Sequence, residues 1–209
     1  MKKRFITGVL IGLVSIITVV QVNGSRPKLV VGIVVDQLRT DYIESLESLF
    51  GEKGFKRLMK EGAYLRDVDF VVANPDAVNA TAMIYTGNYP SKNGVVASSI
   101  YNAEKHKSEA SLNDPASIGN FTTETYSPHN LMLSTISDEV KIDGAGLGAV
   151  YSIALDPQQA IIMAGHAGNS AFWINDNTGK WSTTTYYKDV PQLLSQRNYG
   201  KSLASRIDT

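Results

Sequence analysis

The sequence contains no cysteine, which excludes disulfide bonds, thiolate metal sites and lipid attachment through a cysteine side chain. It also has no excess charge of either sign, because 20 basic residues balance 20 acidic ones. A balanced charge gives no indication of a nucleic-acid partner. With 43% hydrophobic and 19% charged residues among 209, the composition is that of a globular domain with a sizeable core.

The first 24 residues have the three-part layout of a secretory signal peptide. Three cations directly after Met1 precede an apolar run from Phe5 to Val20, and small and polar residues follow up to Ser25. This layout predicts an exported protein with a signal peptide over residues 1–24 and a domain over residues 25–209. The alternative is an uncleaved membrane anchor, because the run approaches the roughly 17 to 25 apolar residues that span a bilayer.

The run KLVVGIVVDQL, residues 28–38, is continuously apolar up to Asp36. Such a run predicts a strand buried on both faces of a parallel sheet. Asp36 lies at the C-terminal end of this strand, where open parallel sheets gather their ligands. Asp36 is therefore a candidate metal or substrate ligand, although capping and turn formation are commoner roles for an aspartate in such a place.

The rest of the chain alternates between helical and strand patterns. Apolar spacing predicts helices around residues 43–50, 55–59 and 77–85, and a helix opened by Ser127 and Pro128. Strands are predicted for residues 64–72 and 148–155, and a polar surface excursion for residues 103–126. Strands alternating with helices favour a layered α/β fold, a mostly parallel sheet flanked by helices.

Five segments, in this order, carry a resemblance to a known family: RPKLVVGIVVDQLRTDYI, GFKRLMKEGA, IYTGNYPSKNGVV, SPHNLMLSTISDEVKI and AIIMAGHAGNSAFWINDNTGKWSTTTYY. Together they resemble the alkaline phosphatase superfamily. The likeness is greatest to exported bacterial alkaline phosphatases with a threonine nucleophile, which are relatives of the nucleotide pyrophosphatase/phosphodiesterases. The resemblance runs from Arg26 to Tyr187. It implies an alkaline-phosphatase-like fold, here incomplete at the C-terminus, and a bacterial periplasm or cell surface as the location.

The resemblance also implies a site with two zinc ions. In the family, the metals activate a threonine at a helix start and stabilise both the attacking and the leaving oxygen of the phosphoryl transfer. The first zinc ligand of the family matches Asp36, and the other ligands come from sequence beyond Thr209. One carboxylate supplies too few donors for zinc, so we expect weak metal binding.

The family's reactive positions do not carry the family's residues. Aligned on Ile84 to Gly87, the nucleophile position holds Ala77, and an asparagine that contacts the phosphoryl group is replaced by Ser98. A lysine and an arginine are replaced by Asp156 and Gln158. A carboxylate in place of an ammonium, roughly 5 Å from a phosphoryl charge, exchanges about 3 kcal/mol of attraction for similar repulsion at an effective dielectric near 20.

Nearby side chains offer little replacement for the missing groups. Thr81 lies one helical turn beyond Ala77, so its oxygen would be displaced by roughly 6 Å along the helix axis from the required place. Asp76 is expected to cap the helix. His106 is expected to be solvated and His166 to have a structural hydrogen-bonding role, and no two histidines have metal-ligand spacing.

Three hypotheses follow. The first is a catalytically silent, exported protein that binds a phosphorylated small molecule or a protein partner, with no nucleic-acid partner and with membrane contact only through an uncleaved N-terminal segment. The second is a zinc-dependent phosphomonoesterase or phosphodiesterase with an altered nucleophile, Thr81 being the candidate. The third is a truncated fragment without activity of its own.

Overall fold

The computed structural model describes residues 27–70, 72–188 and 192–200. The signal peptide predicted for residues 1–24 therefore lies outside the described residues. The chain divides into two compact units, residues 1–33 and residues 34–209. Within the described ranges, no helix is long and apolar enough to cross a lipid bilayer.

The described part of the second unit contains short helices and short strands. The α-helices are α1 (Thr40–Leu46), α2 (Phe55–Glu61), α3 (Ala77–Thr86), α4 (Pro90–Asn93), α5 (Ile136–Asp143), α6 (Pro157–Ala164) and α7 (Gln192–Gly200). Two short 3₁₀ helices cover Glu47–Leu49 and Pro128–Asn130. The strands are β1 (Ser99–Asn102), β2 (Lys107–Ala110), β3 (Gly119–Asn120), β4 (Tyr151–Ile153), β5 (Ser170–Ile174) and β6 (Trp181–Thr184).

The helices predicted from apolar spacing are present. α1 and α2 lie where the spacing places them, but neither contributes a buried side chain. α3 begins after Asp76 and ends at Gly87, which adopts a left-handed conformation with φ of 64°. Glycine enters this conformation without the steric penalty that a Cβ atom brings, so it ends the helix there.

Two predicted strands are absent from the structure. Residues 28–38 form no strand, and Ile33 is 80% exposed. Residues 64–70 and 72 also form no strand, and Leu65 and Val68 are exposed. Both runs have the composition of strands, but strand propensity largely reflects burial and packing against neighbours, and neither run is packed in this way.

The main sheet has the strand order β3-β6-β5-β4. β4 and β5 are parallel and are joined through α6, which makes a βαβ unit, whereas β5 pairs with β6 and β6 pairs with β3 in antiparallel fashion. The connection from Asn175 to Lys180 is too short for a crossover and imposes the antiparallel pairing of β5 and β6. The fold is α/β as predicted, but the sheet of the described residues is mixed where a mostly parallel sheet was expected.

The polar stretch of residues 103–126 is more ordered than its composition predicts. It supplies β2, which pairs with β1 in an antiparallel hairpin, and β3, which extends the main sheet. Leu112 within it is fully buried. The single helix predicted after Ser127 is instead two: Ser127 caps the 3₁₀ turn, and Thr135 caps α5 through a capping box with Asp138.

The hydrophobic core lies between α3, α6 and the β5 side of the sheet. α3 contributes Val78 and Ala82, α6 contributes Ile161 and Ile162, and Trp173 of β5 is buried against them. The N-terminal ends of α3 and α6 are joined at the border of this core, because Gln159 in the first turn of α6 hydrogen-bonds to α3. The core therefore fixes the two helix starts that carry the candidate site.

Candidate functional site

The start of α3 is capped by Asp76. Its Oδ1 accepts hydrogen bonds from the backbone N–H groups of Val78, at 2.9 Å, and Asn79, at 2.8 Å. The Asn79 side chain returns the interaction by accepting from the Asp76 N–H at 2.9 Å. This is a reciprocal capping box, which satisfies donors that would otherwise lack partners at a helix start. Ala77 is the first residue of the helix.

The second oxygen of Asp76 reaches a distant segment. Asp76 Oδ2 accepts a 2.6 Å hydrogen bond from the backbone N–H of Ser98. Asn79 strengthens the same connection by donating to the carbonyl oxygen of Val96 at 2.9 Å. One carboxylate therefore receives three backbone N–H groups, which is a strong arrangement for an anion.

Gln158 joins Ser98 to a third segment. Its Nε2 donates to the Ser98 carbonyl oxygen at 2.9 Å, and its Oε1 accepts from the Leu112 N–H at 3.1 Å. The side chain is only 6% exposed. Both ends of the amide have backbone partners, so Gln158 holds the chain together at a place where the resemblance puts a phosphate-binding cation.

Asp156 caps α6. Its Oδ1 accepts from the Gln159 N–H at 2.9 Å, and Pro157 occupies the first helical position. Asp156 is partly buried, and its charge interacts electrostatically with Tyr126. Burial raises the pKa of Tyr126, and the charges of Glu124 and Asp156 raise it further. The negative charge of Asp156 at this helix start disfavours a second anion beside it.

Thr81 is turned into the protein. Its hydroxyl donates to the Ala77 carbonyl oxygen at 2.7 Å and accepts from Gln159 Nε2 at 3.0 Å. The residue is 1% exposed. A hydroxyl that is buried and bonded to the preceding turn of its own helix is not presented to a substrate.

Asp36 lies in an exposed turn. Its Oδ1 accepts from the N–H of Gln37, whose backbone has a positive φ of 58°. Within the described ranges, no hydrogen bond joins Asp36 to Ala77, Ser98, Asp156 or Gln158, and no group of three or more histidine, aspartate or glutamate side chains could hold a metal ion. The structure thus brings four of the five sequence-derived positions together and leaves Asp36 apart from their hydrogen-bond network.

The three histidines differ in environment. His106 is exposed in the β1–β2 hairpin connection, and His129 is exposed in the 3₁₀ turn. His166 forms hydrogen bonds to Asp138 and to the Leu131 carbonyl oxygen, which confirms its expected structural role. Sequence reasoning missed Asp138, although the spacing of Thr135 and Asp138 is that of a capping box and could have identified it.

Known proteins resemble this chain in sequence. The model of the family "Type I phosphodiesterase / nucleotide pyrophosphatase" matches residues 30–209. Alkaline phosphatase PafA from Elizabethkingia meningoseptica is 36% identical over 179 residues, which are 83% of this chain and 33% of the relative. A protein named calcium-transporting ATPase from Myroides odoratus is 36% identical over 182 residues, which are 84% of this chain and 33% of the relative.

Crystal structures of PafA have the same fold over the matched region. The wild-type enzyme superimposes with a TM-score of 0.77 at 35% identity and covers 83% of this chain and 34% of PafA. A PafA variant substituted at a threonine, an asparagine, a lysine and an arginine matches with the same score and coverage. This chain spans about a third of the length of the curated relatives it matches.

Proposed function

Because the chain belongs to the type I phosphodiesterase / nucleotide pyrophosphatase family, we propose that it is an exported alkaline-phosphatase-like protein whose phosphoryl-transfer chemistry has been lost. The start of α3 carries this proposal. Ala77 has no nucleophilic atom, and the preceding Asp76 carboxylate already occupies the N–H groups of Val78, Asn79 and Ser98.

An occupied helix start is a poor place for a phosphoryl group. Helix N-termini attract anions through their free N–H groups and their dipole. Here those N–H groups bind Asp76, so an incoming phosphate would have to displace a carboxylate or lie beside it. Two such charges roughly 5 Å apart repel by about 3 kcal/mol at an effective dielectric near 20.

The spacing of the substituted positions supports the alignment. In the PafA variant, the threonine and the asparagine lie 21 residues apart, and the lysine and the arginine lie two apart. Ala77 and Ser98 have the first spacing, and Asp156 and Gln158 have the second. In this chain, the side chains of Asp156 and Gln158 bond to backbone N–H and carbonyl groups, so both serve the fold.

The described residues do not fit the zinc centre that the family implies. A zinc ion takes three or four nitrogen, oxygen or sulfur donors at about 2.0 to 2.3 Å. Asp36 supplies one exposed carboxylate in a turn, and Ala77 supplies no oxygen from its side chain. We propose no step through a metal. Binding of a protein partner, or of a phosphorylated small molecule at a place other than the start of α3, replaces catalysis.

Export rests on the sequence layout of residues 1–24, which supports a periplasmic or cell-surface location. Peptide mass spectrometry of the protein from its native host is the test. We expect a mature N-terminus close to Ser25. An intact Met1 on cytosolic protein would overturn this part of the proposal.

A chimera tests the loss of chemistry directly. Residues 30–188 of this chain replace the matching third of PafA, whose remaining two thirds are kept, and zinc-dependent hydrolysis of a chromogenic phosphate monoester is measured. We expect no turnover by a folded chimera. Turnover near that of PafA would refute the proposal, and turnover lost on replacing Thr81 with valine would assign the reaction to the altered nucleophile.

Phosphate binding gives a second readout that needs no activity. In urea unfolding of this chain, followed by the intrinsic fluorescence of Trp173 and Trp181, inorganic phosphate should leave the midpoint unchanged. Ligands that bind only the folded state raise it. A saturable rise in the midpoint that disappears in Ser98→Ala and Gln158→Ala variants would show that the anion site is open and that the proposal is wrong.

A further inference from the structure

His166 lies between two hydrogen-bond acceptors. Its Nδ1 is 3.1 Å from Asp138 Oδ2, and its Nε2 is 2.9 Å from the carbonyl oxygen of Leu131. A neutral imidazole has one N–H and could satisfy only one of these acceptors. The doubly protonated ring donates to both.

The Asp138 side of this arrangement stays an acceptor over a wide pH range. Asp138 Oδ2 also receives the N–H of Thr135 at 2.8 Å and its hydroxyl at 3.0 Å, and Oδ1 receives the N–H of Ala167 at 2.7 Å. Burial alone would raise the pKa of Asp138, but the hydrogen bonds from His166, Ala167 and Thr135 outweigh burial and hold the pKa at about 2.

The segment around His166 has little freedom to rearrange. Gly165 has a positive φ of 71°, and a Cβ atom there would collide with the side chains of Thr135 and Asp138. Tyr186 donates its hydroxyl to the His166 carbonyl oxygen at 3.1 Å, and Tyr187 donates to the Gly165 carbonyl oxygen at 2.8 Å. The imidazole is thus presented to both acceptors by a closely packed backbone.

We propose that His166 is a protonation-dependent clamp, which ties residues 165–167 to the start of α5 and to the loop at Leu131 while the ring is doubly protonated. Loss of one ring proton turns a nitrogen lone pair toward Asp138 or toward the Leu131 carbonyl oxygen. One of the two bonds then becomes a repulsion between acceptors, and the clamp loosens.

The direction in which stability changes with pH follows from the hydrogen-bond partners of His166. The hydrogen bond that His166 donates to Asp138 raises the pKa of His166 above 6.5, against the opposing effect of burial. A raised folded-state pKa means that the stabilisation is complete below the unfolded-state value, near 6.5, and is lost as the pH rises through the folded-state value. Asp138 behaves oppositely and loses its contribution only as the pH falls toward about 2.

The aspartates and tyrosines around His166 keep their charge state between pH 6 and pH 9. Asp138 and Asp114 have lowered pKa values, Asp114 chiefly through the hydroxyl of Ser127, and both remain charged above pH 6. Burial raises the pKa values of Tyr186 and Tyr187 above 10, so both phenols stay neutral to pH 9. His129 interacts electrostatically with Asp114. It is exposed, which makes it the matched control.

Urea unfolding at pH 6 and pH 9, followed by tryptophan fluorescence, tests the clamp. We expect the unfolding equilibrium constant of the wild type to rise roughly tenfold between the two pH values, the order of one hydrogen bond to a charged group. His166→Gln should remove most of this rise, and His129→Gln should keep it. An unchanged pH dependence in His166→Gln would overturn the proposal.

Nuclear magnetic resonance of the ring nitrogens in the wild type needs no variant. With ¹⁵N-labelled histidine, both nitrogens of His166 should have the shifts of protonated nitrogen at pH 6, and one of them should move toward the unprotonated shift as the pH rises to 9. A ring with a single N–H at pH 6 would refute the clamp even if the His166→Gln variant failed to fold.

Discussion

The Asp76 carboxylate accepts a 2.6 Å hydrogen bond from the backbone N–H of Ser98 and so joins the start of α3 to a residue 22 positions farther along the chain. Asp76 directly precedes Ala77, so this hydrogen bond joins two segments of the candidate site. The same carboxylate also occupies the N–H groups of Val78 and Asn79.

Replacing Asp76 should destabilise the fold measurably. Asp76→Ala removes the acceptor for three backbone N–H groups, and we expect a loss of about 2 to 3 kcal/mol in the free energy of unfolding. Asp76→Asn keeps one carbonyl oxygen for capping and should lose about 1 kcal/mol. Urea unfolding by tryptophan fluorescence measures both, with Asp67→Ala at an exposed site as control. Equal stability of Asp76→Ala and Asp67→Ala would contradict the assignment.

Restoring the nucleophile alone should not restore phosphate ester hydrolysis. In the PafA chimera, Ala77→Thr leaves the Asp156 charge and both Gln158 hydrogen bonds in place, so we expect no turnover. The triple variant Ala77→Thr, Asp156→Lys, Gln158→Arg should gain partial activity, because nucleophile activation and charge stabilisation act on the same transition state.

The stability of the triple variant is part of this prediction. Asp156→Lys removes the cap of α6, which should cost about 1 kcal/mol. Activity and urea midpoint are therefore measured together for the single and triple variants. Robust turnover by Ala77→Thr alone would mean that Asp156 and Gln158 lie outside the phosphate site.

At concentrations well above those of the unfolding measurements, the chain of 209 residues should self-associate. Among the described residues, β4 is the last strand in the sheet order, and Ile153 in β4 and Leu155 just after it are 63% and 81% exposed. Such edges template pairing with another chain. Ile153→Lys should shift the protein toward monomer in light scattering after size-exclusion chromatography. Met132→Lys, at an exposed methionine away from this edge, is the control, and a monodisperse wild-type monomer with a sharp melt would disprove the expectation.

Zinc should bind this chain weakly. We expect clearly less than one equivalent of zinc to survive dialysis, measured by elemental analysis, and Asp36→Asn to leave the value unchanged. Tight zinc sites need three or four donors, and Asp36 is one exposed carboxylate. Stoichiometric zinc that disappears with Asp36→Asn would reveal ligands outside the described residues.

Local signals in the sequence located α1, α2 and α3, but they did not predict α4 or α6, and the single helix expected after Ser127 is a 3₁₀ turn and α5. The cap at Asp76 and the stop at Gly87 bracket α3, and apolar spacing located α1 and α2. These features depend on residues within a few positions of each other, which a sequence displays directly. The relation of Ala77, Ser98 and Gln158 was reached through the family resemblance, and the structure adds the hydrogen bonds that join their segments.

Features that depend on distant partners could not be predicted. Residues 28–38 have the composition of a strand, but composition does not show whether neighbouring segments will pair with them and bury them. Leu112 lies inside a polar stretch but belongs to the hydrophobic core, and its N–H is received by Gln158, 46 residues later. His166 and Asp138 are 28 residues apart, and only the packing of α5 against the end of α6 brings them together.

Ser98 is held at both of its backbone groups, since Asp76 takes its N–H and Gln158 takes its carbonyl oxygen. An evolutionary reversion at Gln158 would release one side of this residue before any substrate could compensate, and a change at Asp76 would release the other. Under the proposed loss of catalysis, a single change toward the family residue at Gln158 would therefore lower stability before it could restore a phosphate contact, so a return to activity would need several substitutions at once.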